Sequence, residues 1–401
     1  MHVPKLLIGG ALVAVALIAL VARPQTQSSP RPSAGPEPRT PRQVPYFEYD
    51  ETFPKPLPNQ WTTGTVVGIS VDTRQHIWIV HRGSTLRPDE LRAEHSPPLG
   101  KCCVTAPPVI ELDYEGNVVQ AWGGPSPSGE YDWPSPGGKS LDPYAGGTPS
   151  GMHSVFVDHK DNVWLTATGP GDGQMLKFTR DGKFLLQVGN TKRTGPDSND
   201  TANLGQASGI KEYAPSNEVF LSDGYVNRRI IVFDGDTGQY KRHWGAYGKP
   251  PDDSIPFRYD PNKPFEQFSV LHGIGVSNDG LVYACDRNGS RVQVFNTDGT
   301  FVMEKLVEPH TFNGSVFGIA FSSDPEQQWA YIPDGRNEKV WILERKTMDI
   351  VGSFGCPGHS GGCMTTPHSI DVDGKGNVYI GETWEGKRVQ RFLYKGLRSE
   401  S

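Results

Sequence analysis

Cysteine, excess charge of one sign and long apolar runs are all scarce in this sequence. Five of its 401 residues are cysteine, too few for a fold that depends on a framework of disulfides. The 39 basic and 45 acidic residues give a net charge of −6, with no basic cluster. The electrostatic signature of a nucleic-acid-binding protein is therefore absent, and we expect no nucleic-acid partner.

Glycine and proline are abundant by contrast, with 47 and 35 residues. Both are unfavourable in the interior of a helix, which argues against a mostly helical protein. Hydrophobic residues make up 35% of the chain before glycine is counted, an ordinary content for a folded protein. The composition therefore predicts many short strands joined by turns.

The single long apolar run is LLIGGALVAVALIALVA, residues 6–22. Its length fits either a secretory signal peptide or a short membrane anchor. Leu20 stands where a cleavage site prefers a small residue, so both alternatives stay open. We expect an apolar helix within residues 1–23 and a disordered proline-rich linker over 24–45. The folded body, 46–397 with a tail at 398–401, is then exported to the periplasmic or extracellular side, anchored to the membrane if the segment is retained.

Beyond the linker, one sequence unit recurs six times. Each unit has an alternating apolar strand, a turn rich in Gly, Asn or Asp, a second apolar strand and later a third. The first strands of the six units are VVGISVD (66–72), GMHSVFVD (151–158), ASGIKEY (207–213), VLHGIGVS (270–277), VFGIAFS (316–322) and TPHSIDVD (366–373). The repeats therefore predict six small antiparallel sheets.

Such a sheet cannot bury both of its faces alone, whereas six sheets stacked around an axis can. The sequence therefore predicts an all-β fold, a six-bladed β-propeller. A β-solenoid or a pair of β-sandwiches is the alternative, which the uneven unit lengths and long loops disfavour. Residues 44–61 are expected to supply the outer strand that the last unit lacks, so that both chain ends close the ring.

Three units carry a histidine at the same point of the first strand: His153, His272 and His368. These units are the second, fourth and sixth, so their strands lie about 120° apart around the axis. Three imidazoles that converge with room for a further ligand are typical of a catalytic zinc site. We therefore predict a zinc centre on the axis.

Polar residues follow the second strands of several units, among them Arg82, Tyr225 and Arg287. The end of a second strand lies level with the start of the first, so these side chains could reach the same mouth of the channel. Arginine suits an anionic group, and tyrosine suits general acid or base chemistry. Surface salt bridges for the two arginines and simple packing for Tyr225 remain the alternative interpretation.

The spacing of the cysteines predicts at most one short loop closed by a disulfide. Cys356 and Cys363 flank the sequence PGHSGG, a spacing that permits a disulfide or two free thiols. A second metal site at His359 is disfavoured because the loop offers too few ligands. Cys285 lies in an apolar strand and is expected in the core.

At these residues the sequence resembles the peptidyl-α-hydroxyglycine α-amidating lyases, which are propellers with NHL-like repeats. The resemblance covers residues 60–395, and the segments that carry it include FLSDGYVNRRIIVF, VLHGIGVSNDGLVYACDRNGSRVQVF and TPHSIDVDGKGNVYIGE. It implies zinc on the three histidines and a substrate pocket formed by Arg82, Tyr225 and Arg287. It also implies that a peptide ending in α-hydroxyglycine is cleaved to a peptide amide and glyoxylate.

The resemblance implies calcium as a second cofactor. The family binds it through two backbone carbonyls, which fall here on Ile69 and Val155, and through an aspartate. The sequence departs from the family at that aspartate, because Ser369 stands there and a neutral hydroxyl is a weaker calcium ligand.

The sequence predicts a zinc-dependent lyase, a monomer that acts on a small-molecule or peptide substrate. Two alternatives stay open. One is a non-catalytic NHL-repeat propeller that serves as a binding platform at the cell surface. The other is a calcium-dependent propeller hydrolase or lactonase, disfavoured because the channel positions hold histidine rather than Glu, Asp and Asn.

Overall fold

The alternating apolar segments form β-strands, which assemble into six four-stranded antiparallel sheets in the part of the chain that the structure describes. The structure is a computed structural model that describes residues 42–135, 151–191, 195–263 and 265–399. The expected helix within 1–23 lies outside these residues. Among the described residues, none of the helices has the length and apolar character of a membrane span.

The strands of the first three blades follow in chain order. Before and within the first blade they are β1 (Gln43–Tyr49), β2 (Trp61–Thr62), β3 (Thr65–Val71), β4 (Ile77–Arg82), β5 (Val104–Thr105), β6 (Val109–Leu112) and β7 (Val118–Trp122). The second blade contains β8 (Met152–Val157), β9 (Val163–Ala167), β10 (Gly173–Phe178) and β11 (Phe184–Asn190). The third contains β12 (Ala207–Tyr213), β13 (Glu218–Asp223), β14 (Arg229–Asp234) and β15 (Tyr240–Trp244).

The other three blades follow the same plan. The fourth contains β16 (Leu271–Val276), β17 (Leu281–Asp286), β18 (Arg291–Asn296) and β19 (Phe301–Leu306). The fifth contains β20 (Ala320–Phe321), β21 (Trp329–Asp334), β22 (Lys339–Glu344) and β23 (Asp349–Phe354). The sixth contains β24 (Pro367–Val372), β25 (Val378–Glu382) and β26 (Val389–Ser399), with β1 as its outer strand. The predicted six-bladed all-β propeller is confirmed.

Both ends of the described chain close the ring. Strand β1 pairs antiparallel with β26, from Gln43 opposite Ser399 to Tyr49 opposite Phe392. The paired strands therefore include residues that composition assigned to the linker (24–45) and to the tail (398–401). These residues form strands because each chain end supplies backbone hydrogen-bond partners to the other. The predicted outer strand within 44–61 is confirmed.

An aspartate at the end of the first strand organises the turn to the second in three blades. Asp72 accepts hydrogen bonds from the backbone N–H groups of Arg74 and His76 and from the indole N–H of Trp78, at 2.8 to 3.0 Å. Asp158 and Asp373 make the equivalent contacts in the second and sixth blades. The carboxylate thus ties each turn to the second strand of its own blade.

The hydrophobic core lies between neighbouring blades. The cluster between the first two blades, for example, joins Val67, Trp78 and Val80 to Val155 and Leu165, all nearly inaccessible to solvent. The predicted core position of Cys285 is confirmed, and Cys356 and Cys363 form a disulfide, as do Cys102 and Cys103.

The fifth blade departs from the predicted strand over 316–322. Only Ala320 and Phe321 form β20, paired with Tyr331 and Ala330. The ladder stops where Pro333 enters the neighbouring strand, because proline has no N–H to donate. A single bond from the Phe317 N–H to the Pro333 carbonyl holds the segment beside β21.

Ring closure predicts the effect of truncating Phe47, whose buried ring packs against Tyr331 and Phe354. Phe47→Ala should lower the free energy of unfolding by about 3–5 kcal/mol, as expected for a core phenylalanine. Chemical denaturation measures this, and Val302→Ala on the exposed side of an outer strand is the control. Equal stability of the two variants would contradict a role of β1 in closing the ring.

Candidate metal centre

The three histidines meet on the axis of the ring. His153, His272 and His368 lie on β8, β16 and β24, the inner strands of alternate blades, and their ring centroids are 4.7 to 4.9 Å apart. One ligand atom of each lies within 4.8 Å of the others. All three are buried.

A β-bulge places each histidine. The register of each inner strand shifts across the histidine: between Met152 and Ser154, between Leu271 and Gly273, and between Pro367 and Ser369. A bulged residue is left out of the ladder, and its side chain is turned away from the usual alternation. The bulge therefore accounts for imidazoles that face the axis.

The neighbouring blade fixes the orientation of each ring. His153 Nδ1 lies 2.6 Å from the carbonyl oxygen of Ser208, His272 Nδ1 lies 2.5 Å from that of Phe317, and His368 Nδ1 lies 3.0 Å from that of Val67. A carbonyl oxygen only accepts, so each Nδ1 carries the proton and each Nε2 keeps its lone pair. Such carbonyl contacts orient metal-ligating histidines.

The surroundings keep the imidazoles neutral. Burial lowers the pKa of all three, that of His368 to about 3, and the positive charge of nearby Arg82 or Arg287 acts in the same direction. His272 Nε2 is buried and has no hydrogen-bond partner among the described residues. Neutral imidazoles with converging Nε2 lone pairs are what a divalent zinc ion requires, so the donor set fits zinc.

A cavity of about 330 Å³ opens above the histidines and reaches His368. Arg82, Tyr225 and Arg287 line it. The Tyr225 hydroxyl lies 3.3 Å from His153 Nε2 and accepts a hydrogen bond from Arg287 Nη1 at 3.1 Å. Arg82 donates to the Met152 carbonyl at 2.8 Å and to the Thr168 hydroxyl at 3.1 Å. The structure thus brings all six sequence-predicted side chains to one mouth of the channel.

The sequence analysis missed several residues of this cavity, notably Phe312, Phe317, Arg336 and Trp384. Arg336 follows Asp334 by two positions and Trp384 follows Glu382 by two, as Tyr225 follows Asp223. The position two residues after the end of the second strand could therefore have identified Arg336 and Trp384 as cavity residues. Phe312 lies in an irregular loop, where no repeat pattern points to it.

The acidic residues at these strand ends are structural. Asp223 pairs with Arg229 at 2.8 Å and Asp286 with Arg291 at 2.9 Å, and all four side chains are almost fully buried. His81, which precedes Arg82, accepts from the Gly64 N–H at 3.2 Å and is buried, which lowers its pKa to about 4.

A second cluster of potential metal ligands, Asp72, His76 and Glu111, already has a cation. The Arg180 guanidinium lies 2.7 Å from Asp72 and also contacts Glu111. This cluster is therefore an ion-pair network rather than a metal site.

The residues do not fit the implied calcium. Ile69, Val155 and Ser369 line the channel next to the histidines, and no carboxylate is among the described residues of that section. The Ser369 hydroxyl is buried without a hydrogen-bond partner there. Calcium is normally held by several oxygen ligands that include carboxylates, whereas Lys211, whose ammonium pairs with Asp371, lines this section.

Comparison with known proteins finds similarity to NHL repeats. The NHL repeat model matches residues 268–295, within the fourth blade. A solved streptogramin B lyase structure has a TM-score of 0.50 and 13% identity, covering 88% of this chain and 98% of its own. At that identity the likeness shows the fold alone.

Two curated relatives carry names from the amidating family. Peptidyl-alpha-hydroxyglycine alpha-amidating lyase 1 of Drosophila melanogaster is 26% identical over 269 residues, 61% of this chain and 45% of the relative. Peptidyl-glycine alpha-amidating monooxygenase of Mus musculus is 28% identical over 239 residues, 57% of this chain and 22% of the relative. The chain thus spans less than half the length of either. The predicted resemblance to this family is confirmed.

The metal centre predicts a specific metal content. Purified protein should contain about one zinc per chain by mass spectrometry, and His272→Ala should lose most of it because a three-histidine site then keeps two ligands. His243→Ala, on an outer strand, is the matched control. Equal zinc in the two variants would contradict the centre.

Proposed function

We propose that this chain, a distant relative of the amidating lyases, is an exported zinc-dependent carbon–nitrogen lyase. Its substrate is a peptidyl- or acyl-α-hydroxyglycine, which it cleaves to an amide and glyoxylate. The observation that carries the proposal is the convergence of three neutral imidazoles beneath a cavity that contains two arginines and a tyrosine.

The reaction needs no oxidant, reductant or water. The O–H bond of the α-hydroxyl and the C–N bond break, the aldehyde carbonyl of glyoxylate forms, and the amide nitrogen takes up a proton. His153, His272 and His368 would hold the zinc ion, which supplies Lewis acidity that makes the hydroxyl proton easier to remove. The protein's own groups then bind the substrate and move the proton.

Tyr225 is positioned to move that proton. Its hydroxyl lies between His153 Nε2 and the Arg287 guanidinium, and the Arg287 guanidinium stacks on the rings of Tyr225 and Phe317. As the phenolate, Tyr225 takes the hydroxyl proton and returns it to the departing nitrogen. Arg287 stabilises the tyrosine oxygen during both transfers.

Arg82 is the candidate for the carboxylate of the terminal glycine unit. The contacts with Met152 and Thr168 orient its guanidinium in the cavity, and burial lowers its pKa only to about 10, so it is charged at neutral pH. No carboxylate is among the described residues that line the cavity. An anionic substrate therefore meets only positive charge there.

The remaining wall of the cavity suits an apolar acyl group. Phe312 is 79% exposed at its edge, Trp384 is half-buried, and Phe317 forms part of its buried surface. Exposed aromatic rings beside a concave site are typical contacts for apolar ligand groups. We therefore assign the residue or acyl group preceding the hydroxyglycine to this aromatic wall.

Two features support the proposal that the protein is exported. Disulfides such as Cys356–Cys363 persist in oxidising compartments, and residues 6–22 form the apolar run of a signal peptide or anchor. The membrane is thus the expected partner of the N-terminal segment, and the enzyme body acts as a monomer outside the cytoplasm.

The catalytic assignment predicts glyoxylate release from α-hydroxyhippurate by the zinc-loaded protein. Tyr225→Phe should lower kcat by roughly 10²–10⁴-fold because the proton-transfer group is lost. Arg82→Gln should mainly raise KM. Tyr259→Phe, on an exposed loop, is the control. Bound zinc with no glyoxylate release would instead favour the non-catalytic NHL-repeat binding platform.

The aromatic wall predicts a preference for aromatic acyl groups. Phe312→Ala should lower kcat/KM for the N-benzoyl substrate about two- to tenfold relative to the N-acetyl substrate, which is the usual value of one aromatic contact. Val302→Ala is the control for loss of an exposed apolar side chain. An unchanged ratio would place the acyl group elsewhere.

A further inference from the structure

Lys211 and Asp371 meet across the central channel. Lys211 belongs to β12 of the third blade and Asp371 to β24 of the sixth, and Nζ lies 3.2 Å from Oδ2. In a ring of six, the third and sixth blades stand opposite each other. The ion pair therefore spans the channel instead of joining neighbouring blades.

Two further blades contribute to this pair. The Val71 N–H donates to Asp371 Oδ2 at 3.0 Å, and the Lys211 ammonium lies 5.3 Å from the centre of the Phe156 ring. The two charged side chains are only 22% and 17% exposed, so solvent and salt screen them less than a surface pair. One ion pair thus connects the first, second, third and sixth blades.

The pair lies on the side of the histidines away from the substrate cavity. Lys211 follows Ser208 by three residues and Asp371 follows His368 by three, about 10 Å along each strand. A separate cavity on that side is lined by Lys211 and Asp371, whereas the substrate cavity is lined by His368.

The channel between the histidines and the ion pair offers neutral oxygens and a positive charge. Ile69, Val155 and Ser369 lie in this section together with Lys211. An ammonium group repels a divalent cation. The Lys211 ammonium also neutralises Asp371, the carboxylate with which it is paired. The section therefore supplies its own cation.

We infer that the Lys211 ammonium is the structural cation of this channel and takes the place of the calcium implied by the family resemblance. The zinc centre then needs no second metal. The ion pair also stabilises the ring across its diameter and narrows the channel at the face opposite the substrate cavity.

Metal analysis and calcium titration of the unmodified protein test the inference directly. Protein freed of metal and reloaded with zinc should contain no calcium after dialysis against millimolar calcium chloride, and its melting temperature should not change. About one calcium per chain, or a rise in melting temperature with calcium, would overturn the inference.

Charge removal at Lys211 tests the stabilising role. Lys211→Met should lower the melting temperature by several degrees, because Asp371 is left as an unpaired, mostly buried charge, and Lys211→Arg should restore most of the loss. Lys346→Met, at an exposed lysine, is the matched control. Zinc content should stay at one per chain in all of these variants. An unchanged melting temperature would therefore contradict the stabilising role of Lys211 without contradicting the proposed lyase activity. A Lys211→Met protein as stable as the control would overturn the role.

Discussion

One displaced residue in each of three inner strands brings three histidines together on the axis of the ring. Each of the bulges at His153, His272 and His368 removes its histidine from the ladder and turns it toward the axis. The acceptor carbonyls belong to the inner segment of the next blade, two of them, Val67 and Ser208, at bulges of their own. The imidazoles therefore converge only if neighbouring blades keep their relative height, which in turn requires a closed ring.

The two faces of the channel carry different sets of charged side chains. On one face, the ends of the second strands carry Arg82, Tyr225 and Arg287, and the buried ion pairs of Asp223 and Asp286 hold the loops that follow. On the other face, Lys211 and Asp371 join opposite blades at the axis. The proposed binding and chemistry thus belong to the first face, and the proposed stabilising ion pair belongs to the second.

Much of the fold was readable from the sequence, because strands, turns and repeats are local patterns. The matching positions of the three histidines followed from the same repeats. The short β20 was not predictable from alternation in 316–322, because its cause is Pro333 on the neighbouring strand. Likewise, the ion pair of Lys211 depends on a residue 160 positions away on an opposite blade, and the exposure of Phe312 depends on a loop without a pattern.

The central claim is that three imidazole nitrogens bind one zinc ion, and X-ray absorption at the zinc K-edge tests it most directly. The account predicts three nitrogen ligands at about 2.0–2.1 Å and one exchangeable oxygen ligand from water or substrate. A spectrum dominated by sulfur, or by six oxygen ligands, would contradict it.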